Sequence, residues 1–264
     1  MSTAAPYISS APNRTRRPAL RPLALPTEHG GWGFLFEPVV LALAVRPSWD
    51  GALVALAFVF GFLTRQPLRL ALQDALRDRR YPRTPYCRAF AIAYATLALA
   101  SLIAAISISS FTVLIPLGLV APLGLVQILH DAHNRSRLLL PELAGATAMC
   151  SSAAAIAIAG GMRIVPAFAL SAIILARTIP SIVYVRTLLQ RAHGRSASSA
   201  PALALHAIAI LLVALFASKL AVAAMCVLFV RSTILLARDV PPRAKQIGWM
   251  EVVFGVVVVI LAAI

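Results

Sequence analysis

Charged side chains lie inside stretches that are otherwise apolar, and these are the residues of this sequence that could do chemistry. Arg177 follows about thirteen apolar or small residues and precedes more of them, and Tyr184 lies seven positions later on nearly the same helix face. A charge inside a bilayer costs about 2.5–3.5 kcal/mol or more, so a residue of this kind is a candidate for function. We therefore expect Arg177 and Tyr184 to contact a ligand.

Other basic residues lie at the ends of the same apolar stretches. The planar guanidinium of arginine donates to two oxygens of a phosphate or carboxylate at once. This pattern predicts a cytoplasm-facing pocket for an anionic head group, with an isoprenoid or lipid tail between helices. The predicted anion-binding residues are Arg65, Arg69, Arg135, Arg177, Tyr184, Arg186 and Lys245.

Acidic residues and histidines accompany these arginines. Four of them are candidates for acid or base catalysis, namely Glu28, His29, Asp131 and Glu142. Glu37 and Glu251 lie deeper in apolar sequence, so we expect each to pair with a basic residue of another helix. His130 and His133 share a helix face beside Asp131, but zinc needs three or four protein ligands, so no metal site is predicted.

The elements that must position these residues are nine apolar stretches. The chain has 264 residues, of which 60% are hydrophobic and 12% charged, about half the charged fraction of a soluble domain. We expect an all-α polytopic membrane protein with a basic, disordered cytoplasmic arm over 1–25 and a transmembrane domain over 26–264. The predicted spans are 28–46, 50–65, 88–107, 111–129, 138–160, 163–189, 201–217, 219–237 and 246–264.

The loop over 65–88 carries leucines at helical spacing between charged residues. The spacing of Leu68, Leu72 and Leu76 predicts an amphipathic helix lying on the cytoplasmic surface of the membrane.

Basic residues are distributed unequally between the two sides of these spans. With nine spans, 21 of the 24 Lys and Arg residues fall on the side of the N-terminus. The positive-inside rule therefore predicts a cell-membrane protein whose N-terminus is cytoplasmic and whose C-terminus is outside. The net charge of +15 belongs to these loops, so we expect contact with membrane lipids and no nucleic-acid binding.

Short motifs along nearly the whole chain resemble the YwiC-like family of bacterial integral membrane proteins. They are 28–32 (EHGGW), 65–68 (RQPL), 135–137 (RSR) with 141–145 (PELAG), 177–186, and 245–251. The nine-helix plan is also similar to that of UbiA-type prenyltransferases, whose two Asp-rich motifs hold Mg²⁺ on an isoprenyl diphosphate. Arginines stand at the equivalent places here, so Mg²⁺ is not expected and no cofactor is predicted.

Three functions fit this sequence. The first is a protein that binds or modifies an anionic isoprenoid or lipid, which as an enzyme would be transferase-like without the Mg²⁺-binding motifs. The second is a transporter in which Glu37, Glu142 and Glu251 carry protons. The third is a non-catalytic scaffold, in which the same motifs are helix caps, charged loops and structural ion pairs. The substrate, the reaction, the oligomeric state and any protein partners stay open.

Overall fold

The computed structural model describes residues 19–26, 29–79 and 81–264, without the side chain of His29. Every regular element in these ranges is helical. The α-helices are α1 (Arg21–Ala24), α2 (His29–Val45), α3 (Trp49–Leu76), α4 (Thr84–Ile108), α5 (Leu114–Ala132), α6 (Leu139–Ala159), α7 (Ile164–Ala192), α8 (Ala200–Ala214), α9 (Lys219–Leu236) and α10 (Ala244–Ala263). A single 3₁₀ turn, Phe111–Val113, precedes α5. Most of the predicted N-terminal arm lies outside the described residues.

Seven of these helices are long and apolar enough to cross a membrane, namely α3, α4, α5, α6, α7, α9 and α10. Two shorter apolar helices, Gly30–Val45 within α2 and α8, bring the number of apolar helices in the described ranges to nine. The prediction of an all-α polytopic membrane protein with about nine apolar helices is therefore confirmed.

Helix ends follow local sequence signals. Ser48 precedes α3, and its hydroxyl accepts a hydrogen bond from the Gly51 amide at 3.0 Å. Ser218 precedes α9 in the same way and accepts from the Ala221 amide at 3.2 Å. These caps fix where the second and eighth apolar helices begin.

The predicted loop over 65–88 differs from the structure in its first half. α3 continues as one helix from Trp49 through Pro67 to Leu76, so the prediction of a separate surface helix is wrong for 65–76. The reason is that polar residues in its last turns are buried against neighbouring helices. The Gln73 amide donates to the Asp131 carbonyl of α5 at 2.7 Å, and Asp74 accepts from residues at the start of α4.

Two helices form the centre of the bundle. In the most apolar part of α6, 72% of the residues are buried, and in α7 50% are, against 11% in α4 and in α5. α6 packs against α2, α3, α5 and α7. On the other side, α10 packs against α2, α7 and α9, and α8 packs against α7 and α9. Residues of α2, α7, α9 and α10 therefore face one another in the interior.

Candidate functional site

Arg177 lies near the middle of α7 and is only 3% exposed. Its Nη2 atom is 3.1 Å from Glu37 Oε1 on α2 and 3.4 Å from Glu251 Oε2 on α10. The same nitrogen donates to the Glu251 carbonyl oxygen at 2.9 Å. A single guanidinium therefore joins three helices and faces two carboxylates.

Arg231 on α9 provides the second guanidinium. Its Nη1 donates to Glu251 Oε1 at 2.6 Å. Its Cζ lies 4.4 Å from the centre of the Tyr184 ring and 4.8 Å from that of Phe254, both within cation–π range. We call Glu37, Arg177, Arg231 and Glu251 the charge network. Its two positive and two negative side chains balance, which is the condition under which charges are tolerated inside a bundle.

The close approach of α2 and α10 depends on Gly255. A Cβ atom at this position would overlap the Glu37 carboxylate and would come within 3.2 Å of Arg177 Nη2. Glycine is the residue that leaves room for the ion pair between the two helices.

A hydrogen bond extends the polar interior to α8. The Ser232 hydroxyl lies 3.1 Å from His206 Nε2, and His206 Nδ1 lies 2.8 Å from the Ala202 carbonyl oxygen. A carbonyl only accepts, so Nδ1 carries a proton, and in the neutral ring Nε2 accepts from the Ser232 hydroxyl. The His206 ring also meets Tyr184 edge-on at 6.2 Å between centroids. His206 therefore contacts Ser232 and Tyr184, two of the side chains that lie against Arg231.

Polar atoms without partners are concentrated along one face of α7. The spacing i, i+4 and i+7 places three residues on this face, namely Arg177, Ser181 and Tyr184. Each of them is 3% exposed or less. Within the described part of the chain, Arg177 Nε, Ser181 Oγ and Tyr184 Oη have no hydrogen-bond partner. Arg231 Nε and Glu37 Oε2 share this property. Four of these five groups are donors, so the site is chemically suited to a ligand rich in acceptor oxygens.

A shallow cleft of about 360 Å³ between α9 and α10, wide open at the outer surface of the bundle, reaches Arg231 of the charge network. Arg231 is the charged residue among its lining, and the other lining residues are apolar. They are Val227, Val230, Ile234, Leu235, Met250 and Phe254. Val230 and Ile234 are more than half exposed, so the cleft opens towards the lipid.

Four of the remaining predicted residues form two separate pairs. Arg65 on α3 binds Asp131 on α5 through two of its guanidinium nitrogens, with Nε–Oδ2 at 2.7 Å and Nη2–Oδ1 at 3.1 Å. Arg186 on α7 binds Glu142 on α6 at 2.6 Å, in a pair whose side chains are about one-third exposed. These pairs connect neighbouring helices away from the charge network.

Other candidates lie near helix ends. Arg69 is half-buried in α3, and Arg135 and Lys245 are exposed after α5 and in the first turn of α10. Glu28 and the side chain of His29 lie outside the described residues. The structure thus brings Glu37, Arg177, Tyr184 and Glu251 together and holds the other candidates that it describes elsewhere. Where the chain is described, no group of three or more His, Cys, Asp or Glu side chains could hold a metal ion.

A further ion pair that the sequence does not suggest joins α3 to α4. Asp74 is fully buried and accepts from Arg83 at 2.7 and 3.3 Å and from the Thr84 hydroxyl at 2.8 Å. The hydrogen bond from Arg83 to Asp74 raises the pKa of the Arg83 guanidinium above its usual range. Arg83 therefore stays charged, and the pair is a structural connection.

Arg231, Ser181 and His206 belong to the site but are absent from the set predicted from the sequence. Arg231 carries the same signal as Arg177, because it stands within the apolar run VLFVRSTILL. Because Arg231 lies near the end of α9, its sequence position resembles that of a charged loop residue. The contact with Glu251 shows that it belongs to the site.

A family model described as YwiC-like protein matches residues 25–157, about half of the chain. The matched range runs from α2 to near the end of α6, so it includes Glu37, while Arg177, Arg231 and Glu251 follow it. Comparison with curated proteins and with solved structures gives no match.

Proposed function

Because this chain belongs to the YwiC-like protein family and is a multi-pass integral membrane protein, we propose that it binds an anionic membrane amphiphile at the charge network. The head group would accept hydrogen bonds from Arg231 and Tyr184, and the apolar tail, of an isoprenoid or a lipid, would lie in the cleft between α9 and α10. The observation that carries this proposal is a set of buried donors, on Arg177, Ser181, Tyr184 and Arg231, that have no partner among the described residues.

The chemistry of these donors favours an anion. Tyr184 and Arg231 are in contact, and both are almost fully buried. A hydrogen bond to a charged group contributes about 1.5–3 kcal/mol, and a buried donor left without one costs about 1–3 kcal/mol. A phosphate, sulfonate or carboxylate offers several acceptors in a small volume. Such a head group satisfies two or more of these donors together.

The cleft supports an amphiphile as the ligand. Its lining is apolar except for Arg231, and it opens on the side of the bundle that faces hydrocarbon. An alkyl or isoprenoid chain there would exchange one apolar environment for another, so the head group would determine the affinity.

The proposed site lies in the cytoplasmic half of the cell membrane. Arg231 is five residues from the end of α9, and Glu251 is seven residues into α10. At 1.5 Å per residue, both lie about 8–11 Å from the segment that joins the two helices. That segment carries Arg238 and Arg243, and the positive-inside rule favours its location in the cytoplasm.

Binding of defined amphiphiles to the purified protein tests the proposal. Farnesyl monophosphate and dioleoylphosphatidylglycerol represent the isoprenoid and the lipid, and farnesol is the uncharged control. We expect native mass spectrometry to show binding of at least one anion and much weaker binding of farnesol. Because arginines would neutralise the charge, EDTA should leave this binding unchanged.

Two variants locate the site. Tyr184→Phe removes only the hydroxyl, and Arg231→Met removes the guanidinium. Loss of one charge-assisted hydrogen bond should weaken binding about 10-fold or more. Arg186→Met, which alters an ion pair outside the network, is the matched control and should bind as the unmodified protein does. Equal binding by all three variants, or equal affinity for farnesol and its phosphate, would overturn the proposal.

Transport is a second candidate function, and the depth of Glu37 favours it. Glu37 lies in the middle of α2, and one of its carboxylate oxygens is buried with no partner in the part of the chain that the structure describes. Carboxyl groups at such depth are typical of proton-linked carriers. Proteoliposomes with a pH gradient distinguish the two functions: a carrier accumulates the bound anion inside the vesicle, and a binding protein does not.

A further inference from the structure

We propose that binding of an anion at Arg231 is coupled to the uptake of one proton by the Glu37–Glu251 pair. This inference rests on the proposed function, because it concerns the ligand that the charge network would accept. It adds a second ligand, the proton, and predicts that the affinity for the anion depends on pH.

The charge balance of the network provides the first step of the argument. Arg177 and Arg231 face Glu37 and Glu251, so the four side chains are neutral together. A bound head group adds at least one negative charge to a site from which water is largely excluded. Charges of one sign repel more strongly in such a medium than in water. Uptake of one proton restores neutrality.

The contacts of Glu251 provide the second step. Its two oxygens bind different arginines, Oε1 to Arg231 at 2.6 Å and Oε2 to Arg177 at 3.4 Å. A head group that binds Arg231 in place of Glu251 leaves Oε1 of Glu251 without this partner. Arg177 is then the remaining cation between two carboxylates, since its Nη2 also lies 3.1 Å from Glu37 Oε1. Two carboxyl groups that share one site hold a proton between them more readily than a single one does.

The proton has defined positions in this arrangement. Glu251 Oε1 would be free once the head group binds Arg231, and Glu37 Oε2 already has no partner within the described residues. In this step the protein binds one anion and one proton to give a neutral complex. No electron is transferred. Because the two carboxyl groups are coupled through Arg177, the proton belongs to the pair.

Other groups around Glu251 must be considered as proton acceptors. α2 contributes Glu37, α7 contributes Arg177 and Tyr184, and α9 contributes Arg231. On α10 itself, Lys245 is exposed in the first turn. On the side of α6, the Cys150 thiol lies near Glu37 and Arg177. Behind α9, the neutral His206 ring accepts from Ser232, so among the described groups it is the alternative proton acceptor. The experiment below includes a variant of it.

Isothermal titration calorimetry measures the coupled proton directly. The probe is hexadecyl sulfonate, whose charge is constant between pH 6 and pH 8, added to the purified protein in micelles. Titrations at pH 7 in buffers of different ionisation enthalpy give the number of protons taken up. We expect about one proton per bound sulfonate. The affinity should then fall about tenfold per pH unit as the pH rises.

Matched variants assign the proton. In Glu251→Gln and in Glu37→Gln the network has one positive charge in excess, so the sulfonate should bind at least as tightly, without proton uptake and without pH dependence. Glu142→Gln, in an ion pair outside the network, should keep the full uptake. His206→Asn should keep it as well. Uptake that persists in both network variants, or that disappears in His206→Asn, would overturn the assignment.

Infrared difference spectroscopy provides a measurement that does not depend on the folding of a variant. Addition of the sulfonate to the unmodified protein should produce a new carboxylic-acid C=O band that shifts in D₂O. Binding without this band and without proton uptake would refute the coupling and leave the proposed function intact. Absence of binding at any pH would instead refute the proposed function.

Discussion

Replacement of Arg177 by methionine gives the sharpest test of the charge network. The side chain is 3% exposed, and it contacts two carboxylates and a backbone carbonyl. Glu251 keeps Arg231 as a partner in the variant, but Glu37 loses its one described ion pair. Removal of one member of a buried pair costs about 3–5 kcal/mol, because the other charge is left uncompensated. We expect Arg177→Met to lower the free energy of unfolding by this amount.

The double variant Arg177→Met with Glu37→Gln separates charge from packing. It restores the charge balance of the network, because one cation, Arg231, and one anion, Glu251, remain. At least about 2 kcal/mol of the free energy of unfolding should therefore return relative to Arg177→Met alone. Arg186→Met is the control, and its partly exposed pair should contribute less than about 1 kcal/mol. The assay is equilibrium unfolding by urea in uncharged maltoside micelles, followed by circular dichroism, because an anionic detergent would itself bind the proposed site. A double variant as unstable as the sum of its single changes would refute the reasoning.

Three further predictions concern other parts of the bundle. Gly255→Ala should destabilise the protein in the same unfolding assay, because its Cβ would overlap a carboxylate of α2, whereas Gly248→Ala, which has open space, should be neutral or stabilising. Asp74→Asn should cost about 1–3 kcal/mol in that assay, because this buried acceptor of three hydrogen bonds joins α3 to α4. A cysteine at Ser196 should react with an impermeant maleimide only in inside-out vesicles, and one at Ser110 only in right-side-out vesicles; the opposite result would reverse the orientation predicted from the basic loops.

The helices could be predicted from the sequence because hydrocarbon imposes a strong and simple requirement. A membrane span needs about 20 apolar residues, and its backbone must satisfy its own hydrogen bonds, so hydropathy alone identifies α4 to α7 within a few residues. The end of α3 could not be predicted in this way. Its last turns contain Gln73 and Asp74, which look like surface residues in sequence and are buried by contacts with α5 and α4.

The site could be predicted only in part, for a physical reason. Apolar flanking residues identify Arg177, Glu37 and Glu251 as buried charges, but they do not tell which charges meet. Arg231 is 20 residues from its partner Glu251, and Arg65 is 66 residues from Asp131. Such pairs depend on how distant helices pack, and one sequence carries no direct record of that packing. The same limit hides Gly255, whose role appears only when α2 and α10 are seen together.

The position of Glu37 has a consequence for biosynthesis. Ribosomes add about 5–20 residues per second, and Arg177 follows Glu37 by 140 residues, so Glu37 is synthesised about 7–28 s before its counter-ion. Throughout that interval an isolated α2 would carry a lone acid in hydrocarbon, at a cost that its short apolar length does little to offset. A nascent chain arrested before Arg177 should therefore leave α2 at the membrane surface or in the insertion machinery. Helices made later in synthesis would then hold the first apolar helix, α2, in place.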